Sequence, residues 1–244
     1  MVNIRKSEET LRIKSKVLYA SAMLFLKKGY QLTTIKDIAN QSKINASTVL
    51  YVFKSKEDIL CELVKYVIEG QFNAASKVIL PYTDDKILYY GLETALQLYM
   101  AESSESIREL YMTVYTLPKT LQLVRDNITD KLYLIFKEHL PYFTTKDFYE
   151  TEIASSSLIR GYMEVKCHDD FTIKDKVNRF LDTSLLIYRV SDEKIREAKE
   201  FVSQFDIQII ADETIQSMID YLENQNKGEW LWRHWKKYLN YCYH

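Results

Sequence analysis

Proline and glycine are scarce in this sequence, with 3 prolines and 5 glycines among 244 residues. Because these two residues mark most tight turns and interrupt strands, their scarcity favours an all-α protein. Each proline follows an apolar stretch with helical spacing, at Pro81, Pro118 and Pro141. We therefore interpret all three as residues that end a helix.

Cysteine and long hydrophobic runs are also limited. The three cysteines, Cys61, Cys167 and Cys242, lie far apart and form no CxxC pair, so neither a disulfide framework nor a zinc cluster is indicated. The longest nearly apolar run, residues 17–26, is too short to span a bilayer, and no N-terminal segment has the pattern of a secretory signal. We expect a cytoplasmic protein that does not associate with a membrane.

Patterns that support catalysis or metal binding are missing as well. The four histidines, at positions 139, 168, 234 and 244, form no i, i+4 pair, and no Gly-rich phosphate loop or nucleophile elbow is present. We therefore expect no enzymatic activity, no cofactor and no metal site.

Charge is distributed unevenly along the chain. Residues 1–58 contain eleven Lys or Arg and five Asp or Glu, a net charge of +6, whereas the remainder has 22 basic and 29 acidic residues, a net charge of −7. A basic N-terminal block on an acidic body suggests that the first part meets a polyanion. The alternative is that these lysines merely solvate the surface of a helical domain.

The N-terminal block has the pattern of four consecutive helices. The first covers residues 7–29 and stops at Gly29, and Thr34 with Asp37 fits the capping signature of a second helix over 34–41. Asn45 is suited to cap a third helix that ends at about Phe53, and Ser55 with Asp58 repeats the capping signature at the start of a fourth.

Short helices with a tight turn between the second and third predict a helix-turn-helix motif at about 34–53. The small residues Ala46, Ser47 and Thr48 would let the third helix approach the major groove, while Val49 and Phe53 pack inward. Side chains that can reach phosphates flank them: Tyr51, Lys54 and Lys56.

Residues 17–60, VLYASAMLFLKKGYQLTTIKDIANQSKINASTVLYVFKSKEDIL, resemble the N-terminal domain of the TetR family of transcriptional regulators. The matching positions are Ala22 to Phe25, Gly29, Tyr30, Thr33, Thr34, Asp37, Ile38, Ala39, Thr48, Phe53, Lys54, Ser55, Lys56 and Glu57. The sequence departs from the family pattern at four positions. Lys43 replaces a frequent Gly, and Ser47 replaces Gly or Pro. Leu50 replaces a Tyr that usually contacts phosphate, and Val52 replaces Tyr or His.

The motif and the resemblance together predict a set of DNA-contacting residues: Thr33, Thr34, Lys43, Asn45, Ala46, Ser47, Thr48, Tyr51, Lys54 and Lys56. A structural explanation competes for four of them. Thr34 and Asn45 would cap helices with or without DNA, Tyr51 could be a buried aromatic residue, and Lys56 could be a solvated lysine at a helix start.

The rest of the chain continues as helical segments without a repeat or a long linker. We expect a DNA-binding domain over residues 11–71 and a helical body over 72–244. The resemblance implies that the body binds an effector and forms a homodimer through a late pair of helices. The expected interface residues are Ser157, Gly161, Leu181, Leu185 and Leu186, although the same apolar ridge could face its own core.

The resemblance also implies how the protein works. The expected partners are a double-stranded, near-palindromic DNA operator and a small apolar or aromatic effector whose binding residues we cannot assign. The effector would bias the fourth helix and release a repressor from DNA. Two alternatives are a TetR-like adaptor without effector sensing, identified by a filled body, and a protein attached to a membrane through its aromatic segment 229–244.

Overall fold

The structure of the chain is a computed structural model. It describes residues 2–227, with side chains from residue 8 onward. Regular structure in this range is helical, which confirms the predicted all-α class. The helices are α1 (Val2–Lys28), α2 (Ile35–Ser42), α3 (Ala46–Phe53), α4 (Lys56–Ile79), α5 (Lys86–Glu102), α6 (Glu105–Val114), α7 (Pro118–Phe136), α8 (Thr145–Glu164), α9 (Ile173–Ile187), α10 (Asp192–Val202) and α11 (Ile207–Lys227).

The described residues divide into two compact units. One contains the chain up to Leu63 and the residues from Gln216 onward, and the other, called the body below, covers Val64–Ile215. No helix in the described range is both long and apolar enough to cross a membrane. The aromatic segment 229–244 lies outside the described residues, so both interpretations of it stay predictions.

In the N-terminal unit, α1, α2 and α3 pack against one another around an apolar core. Gly29 ends α1 with a φ of 80°, a backbone conformation that glycine adopts without steric cost. The predicted capping box then starts α2: Thr34 Oγ1 accepts from the Asp37 N–H at 3.1 Å, and Asp37 Oδ2 accepts from the Thr34 N–H at 2.8 Å. Val49 and Phe53 are buried, as their spacing predicts.

The body is built around α5, which packs against α6, α7, α8, α9 and α10. Seven consecutive residues of α5, 90–96, are buried. Because seven residues make two helical turns, every face of this part of α5 points into protein. A polar residue here has no route to solvent, and the segment contains Glu93 and Thr94.

One proline has a role that we interpreted wrongly. Pro81 and Pro141 follow the ends of α4 and α7, but Pro118 is the first residue of α7. The first helical position suits proline because its missing N–H has no partner there in any case and its fixed φ matches the helix. α6 ends earlier, at Val114, through the Tyr115 and Thr116 turn.

A fully buried lysine joins the start of α9 to the end of α5. Lys176 Nζ lies 2.6 Å from Glu102 Oε1 and also donates to the carbonyl oxygen of Val165. The Lys176 side chain is 0% exposed, so its charge depends on these two partners.

Replacement of this lysine should be among the most destabilising single changes in the body. We expect Lys176→Ala to lower the free energy of unfolding by about 3 kcal/mol, because it leaves Glu102 largely buried without its cation. Urea unfolding measures the change. The control is Lys166→Ala, since the Lys166 side chain is 70% exposed and 3.7 Å from Glu105, and a surface pair contributes only about 0 to 1 kcal/mol. Equal losses for both variants would contradict the assigned role of Lys176.

Candidate nucleic-acid interface and internal cavity

The turn between α2 and α3 is made by a lysine in a left-handed conformation. Lys43 has φ 57° and ψ 36°, and its N–H bonds to the Ala39 and Asn40 carbonyls while the Ile44 N–H bonds to Ala39 O at 3.1 Å. This is the geometry in which helices commonly end, and glycine is its preferred residue. Lysine at this position puts an exposed positive charge beside the motif at a cost in backbone strain.

Helix α3 has one buried side and one exposed side. The exposed residues are Ala46, Ser47, Leu50 and Tyr51, preceded by exposed Asn45 and followed by exposed Lys54, whereas Thr48 is half-buried. Tyr51 is 72% exposed and is therefore not the buried aromatic residue that we considered. Small side chains at the start of the helix leave its backbone accessible to a partner.

Asn45 occupies the expected N-cap position of α3 but does not cap it with its side chain. Its backbone is extended, with φ −60° and ψ 140°, and its carbonyl accepts from the Val49 N–H at 3.0 Å. No hydrogen bond joins its side-chain oxygen to the first turn, so the prediction of a side-chain cap was wrong. The exposed Asn45 amide keeps its donors and acceptor available.

The junction between α3 and α4 is strained. Lys54 has φ 60° and ψ −39°, and the Ser55 N–H bonds back to Phe53 O at 2.6 Å, which makes a γ-turn centred on Lys54. The Lys54 ammonium folds back to donate to Tyr51 O at 2.6 Å. Ser55 then starts α4, accepting from the Asp58 N–H at 3.1 Å, as its capping signature predicts.

Two residues predicted to contact DNA are engaged inside the N-terminal unit. Thr33 is 0% exposed and its hydroxyl donates to Gly29 O at 2.8 Å. Lys56 Nζ donates to Tyr30 O at 2.7 Å and Thr33 O at 2.8 Å, and it lies 4.0 Å from the centre of the Tyr30 ring. These contacts tie the start of α4 to the loop after α1, so both side chains position the motif rather than forming its exposed surface.

The predicted dimer residues separate into two groups. Leu181 and Leu185 are 0% exposed within the body, so their assignment to a dimer surface was wrong and they belong to the apolar core. Ser157, Gly161 and Leu186 are exposed, and a Cβ added to Gly161 would meet nothing within 4 Å. Helix spacing cannot distinguish the two groups, because an apolar ridge has the same period toward a core or a partner.

A small polar cavity lies beside α5 in the body. It lies among α4, α5, α7, α8 and α9, and the volume open to water-sized groups is about 30 Å³. Polar groups line it together with aromatic and aliphatic side chains: Tyr90, Glu93, Thr94, Gln97, Tyr115, Glu152, Ser155 and Ser156 on the polar side, and Phe72, Ile128, Leu132, Ile159 and Phe180 on the apolar side. Gln97 Nε2 donates to Tyr115 Oη at 2.9 Å.

Two glutamates in this cavity are almost completely buried. Glu93 is 5% exposed and Glu152 is 2% exposed. Burial raises the pKa of Glu93 to about 8, with Lys131 opposing the shift. Burial likewise raises the pKa of Glu152 to about 8, with Arg125 opposing the shift and Glu93 reinforcing it. Both carboxyl groups are therefore largely protonated at neutral pH.

Sequence reasoning missed this acidic pair. The available signal is the stretch LYYGLETALQLYM, in which Glu93 and Gln97 stand within an otherwise apolar helix. A charged residue in a helix that is apolar all round has to face the interior. The partner acid, Glu152, lies within the ordinary polar pattern TEIASSS, which gives no such signal.

The fold and the exposed side of α3 define the chain as a helix-turn-helix protein, and similarity to known proteins assigns the family. A model of bacterial regulatory proteins of the tetR family matches residues 17–63. Residues 17–63 therefore form a DNA-binding domain of the TetR family of transcriptional regulators.

The chain aligns with less than two thirds of the length of the first two relatives, YttP and IcaR. The chain is 30% identical to the probable HTH-type transcriptional regulator YttP of Bacillus subtilis over 79 residues, which cover 31% of this chain and 38% of YttP. It is 28% identical over 109 residues, 45% of this chain, to IcaR, the negative regulator of the biofilm operon icaADBC in Staphylococcus epidermidis, of which 57% is covered. QacR of Staphylococcus aureus is 24% identical over 134 residues, 52% of this chain and 71% of QacR.

A solved structure shares the fold over most of the chain. The crystal structure of RolR in complex with resorcinol superposes with a TM-score of 0.62 and covers 82% of this chain and 97% of RolR. Sequence identity is 13%, so this likeness supports the fold alone.

The left-handed turn residue offers a direct test of backbone strain. We expect Lys43→Gly to raise the free energy of unfolding by about 0.5 to 1 kcal/mol, because glycine adopts positive φ without a Cβ clash. The same exchange in a helix, Lys36→Gly in α2, should instead lower it by about 0.5 to 1 kcal/mol. Thermal or urea unfolding would show shifts of opposite sign. Destabilisation by both exchanges would mean that the Lys43 side chain makes a stabilising contact that outweighs the strain.

Proposed function

We propose that this protein is a DNA-binding transcriptional regulator that binds a near-palindromic double-stranded operator as a homodimer. The observation that carries the proposal is the exposed side of α3, with small residues at its start and lysines in positive-φ turns at both ends. The excess positive charge of residues 1–58 supports a polyanionic partner.

The exposed residues and the half-buried Thr48 divide by the kind of DNA group that they can contact. Asn45, Ser47 and Thr48 supply amide and hydroxyl groups for base edges, and Ala46 lets the helix come close. Leu50, 42% exposed, provides an apolar surface of the kind that contacts a thymine methyl group. Phosphate contacts are expected from Tyr51 and from two further exposed side chains, Lys43 and Lys54.

Thr34 has a more restricted part in this proposal. Its side chain is exposed, but its hydroxyl donates to Asp37 Oδ2 at 2.7 Å, and that carboxylate also pairs with Lys28 at 2.8 Å. Hydrogen bonds from Lys28 and Thr34 hold the pKa of Asp37 well below its usual range. The Asp37 carboxylate therefore stays ionised. The Thr34 hydroxyl can then contact a phosphate in two ways: through a water molecule that donates to its remaining lone pair, or by giving up its hydrogen bond to Asp37.

Binding to the DNA upstream of the protein's own gene, measured over a salt series, tests this function. We expect a salt-sensitive footprint, because Lys and Arg side chains that bind phosphates displace counterions. Lys43→Gly and Tyr51→Ala should weaken binding, and Lys43→Gly should reduce the slope of log K against log salt by about 0.9 while leaving the protein folded.

Lys146→Gly is the matched control for Lys43→Gly, since the Lys146 side chain is 82% exposed on α8 in the body. It should leave both affinity and salt slope unchanged. No preference of the unmodified protein for the upstream DNA over random DNA would contradict the operator-binding proposal.

The homodimer is proposed to form through the exposed sides of α8 and α9. Ile153, Ser157 and Gly161 follow one another at i, i+4 spacing on α8, and all three are exposed, as is Leu186 on α9. Small residues let two helices approach closely, and a two-fold dimer brings each of these residues near its own copy. Such a dimer would present two α3 helices to half-sites about 34 to 36 Å apart or a multiple of that.

Placing a long charged side chain on this stripe should break the dimer. We expect Ser157→Arg to shift the protein to monomers in analytical ultracentrifugation, because two buried arginines would face each other across the two-fold axis. Ser203→Arg, the same exchange at an exposed position after α10, should remain dimeric. An unaffected dimer in the Ser157→Arg variant would place the interface elsewhere.

A second candidate function follows from the body. A cavity of about 30 Å³ is too small for an organic effector without rearrangement, which is the property expected of a TetR-like adaptor that does not sense a ligand. The polar groups buried in that cavity argue for effector sensing instead, and the two candidates make opposite predictions for ligand binding.

A further inference from the structure

More acidic than basic side chains lie in and beside the cavity next to α5. The acidic groups are Glu93 and Glu152 in the cavity wall and Glu69 nearby on α4, and the basic groups that act on them are Lys131 and Arg125. Lys131 already forms an ion pair with Glu69, since its Nζ lies 3.2 Å from the Glu69 carboxylate, and it also lies 4.4 Å from the centre of the Phe72 ring. One arginine therefore remains for two buried glutamates.

Neither glutamate is neutralised by a direct partner. Across the described residues, no Lys, Arg or His nitrogen comes within 4.0 Å of the Glu93 or Glu152 carboxyl group, and no hydrogen bond to either is formed. Arg125 acts on Glu152 only at longer range, and its own Nε is buried without a hydrogen bond. Buried polar groups normally find partners, so these two carboxyl groups require an explanation.

A third polar group in the same wall is also unsatisfied. Tyr90 is 4% exposed, and its hydroxyl lies near Ser155 and Ser184 without a hydrogen bond of ordinary geometry to either. Its ring is fixed by edge contacts to Phe136 and Tyr188, with ring centres 5.2 and 5.7 Å apart, so the hydroxyl cannot swing away to find another partner. Tyr115 Oη accepts from Gln97 and retains its own proton as a donor toward the cavity.

We propose that this cavity binds an organic ammonium ion, whose charged head lies between the carboxyl groups of Glu93 and Glu152. An ammonium group supplies N–H donors for the two carboxylates and for Tyr90 Oη, the three acceptors that lack partners. The aromatic and aliphatic side of the cavity, formed by Phe72, Leu132 and Phe180 among others, suits an apolar body attached to that head.

The composition of the cavity argues against a metal ion and sets a test for a neutral ligand. Two carboxylates among aromatic and aliphatic residues do not make the oxygen cage that Ca²⁺ or Mg²⁺ requires, and the described residues contain no group of three or more His, Cys, Asp or Glu suited to a metal. A neutral hydroxyl compound would form hydrogen bonds with the protonated carboxyl groups without releasing a proton, so proton release distinguishes it from a cation.

Binding must be coupled to loss of a proton and to widening of the cavity. With a pKa of about 8, each carboxyl group is mainly neutral at pH 6.5, so an entering cation is expected to ionise at least one of them and release about one proton. The affinity for a cation should therefore rise as pH increases from 6 to 8. Since 30 Å³ holds little more than a water molecule, the apolar side chains have to move apart as the ligand enters.

The test compares two probes of nearly equal shape and different charge, 2-phenylethylammonium and 2-phenylethanol, with the full chain. Isothermal titration calorimetry in buffers of different ionisation enthalpy gives both affinity and protons released. We expect the ammonium probe to bind with release of about one proton at pH 6.5, and at least about tenfold more tightly than the alcohol.

Three variants assign the binding to this cavity. Glu93→Gln and Glu152→Gln should each weaken the ammonium probe by about tenfold or more while leaving the alcohol unchanged, because the amide keeps the shape and removes the charge. Glu164→Gln, at an exposed position of α8, is the control and should bind as the unmodified protein does. Removing a buried acid also removes its ionisation penalty, so both cavity variants should fold at least as stably at pH 8.

Several results would overturn the inference. Equal affinity for the two probes, or binding without proton release, would exclude a cation between the two carboxyl groups. Full binding of the ammonium probe by both glutamine variants would mean that the cation binds at another site. If the ammonium probe does not bind at any pH between 6 and 9, the inference fails, and a TetR-like adaptor that senses no ligand is favoured.

The identification of this ligand as an effector rests on the proposed function, but the binding itself does not. If the protein binds DNA but not the ammonium probe, only the cation site fails. If it binds the probe but no operator, the regulator proposal fails and the site remains.

Discussion

The fold depends on how the chain satisfies the backbone groups at its helix ends. Every helix leaves N–H and C=O groups without intrahelical partners, and here only five glycines and three prolines are available to shape the ends of eleven described helices. At the starts, capping boxes at Thr34, Thr144 and Thr172 serve this purpose. At the ends and in the following loops, lysine ammonium groups bind the exposed carbonyls.

Three lysines have this second role. Lys54 binds the carbonyl of Tyr51, Lys56 those of Tyr30 and Thr33, and Lys176 that of Val165. The Lys56 and Lys176 contacts join separate segments of the chain, whereas the Lys54 contact is local to the end of α3. Lysine in this protein therefore stabilises the backbone as well as supplying surface charge, so the residue type alone does not separate these two roles.

The sequence could predict features that depend on near neighbours in the chain, but not those that depend on distant residues. Caps and buried apolar positions depend on neighbours one to four residues away, so the α2 box, the Ser55 cap and the burial of Val49 and Phe53 were predicted correctly. The partners of Lys56 are 23 and 26 residues away, and nothing in the local pattern distinguishes them from phosphate. The core positions of Leu181 and Leu185 likewise depend on long-range packing, and the missing Asn45 cap depends on a side-chain rotamer.

The acidic pair in the body illustrates a different limit. Burial of α5 on all sides is a collective property of five neighbouring helices, and it converts two ordinary glutamates into groups that are neutral near pH 7. A core without such groups would be more stable, since apolar residues of similar volume usually replace buried charges without loss. In the proposal above the two acids therefore contribute to binding rather than to folding.

The strained turns around α3 carry a consequence for how this protein can evolve. Lys43 and Lys54 hold positive φ angles that glycine would adopt freely, yet each contributes a positive charge next to the exposed helix. A mutation to glycine at either position relaxes the backbone and removes that charge in the same step. At these two positions a change that stabilises the fold would thus also remove a positive charge from the surface proposed to bind a polyanion.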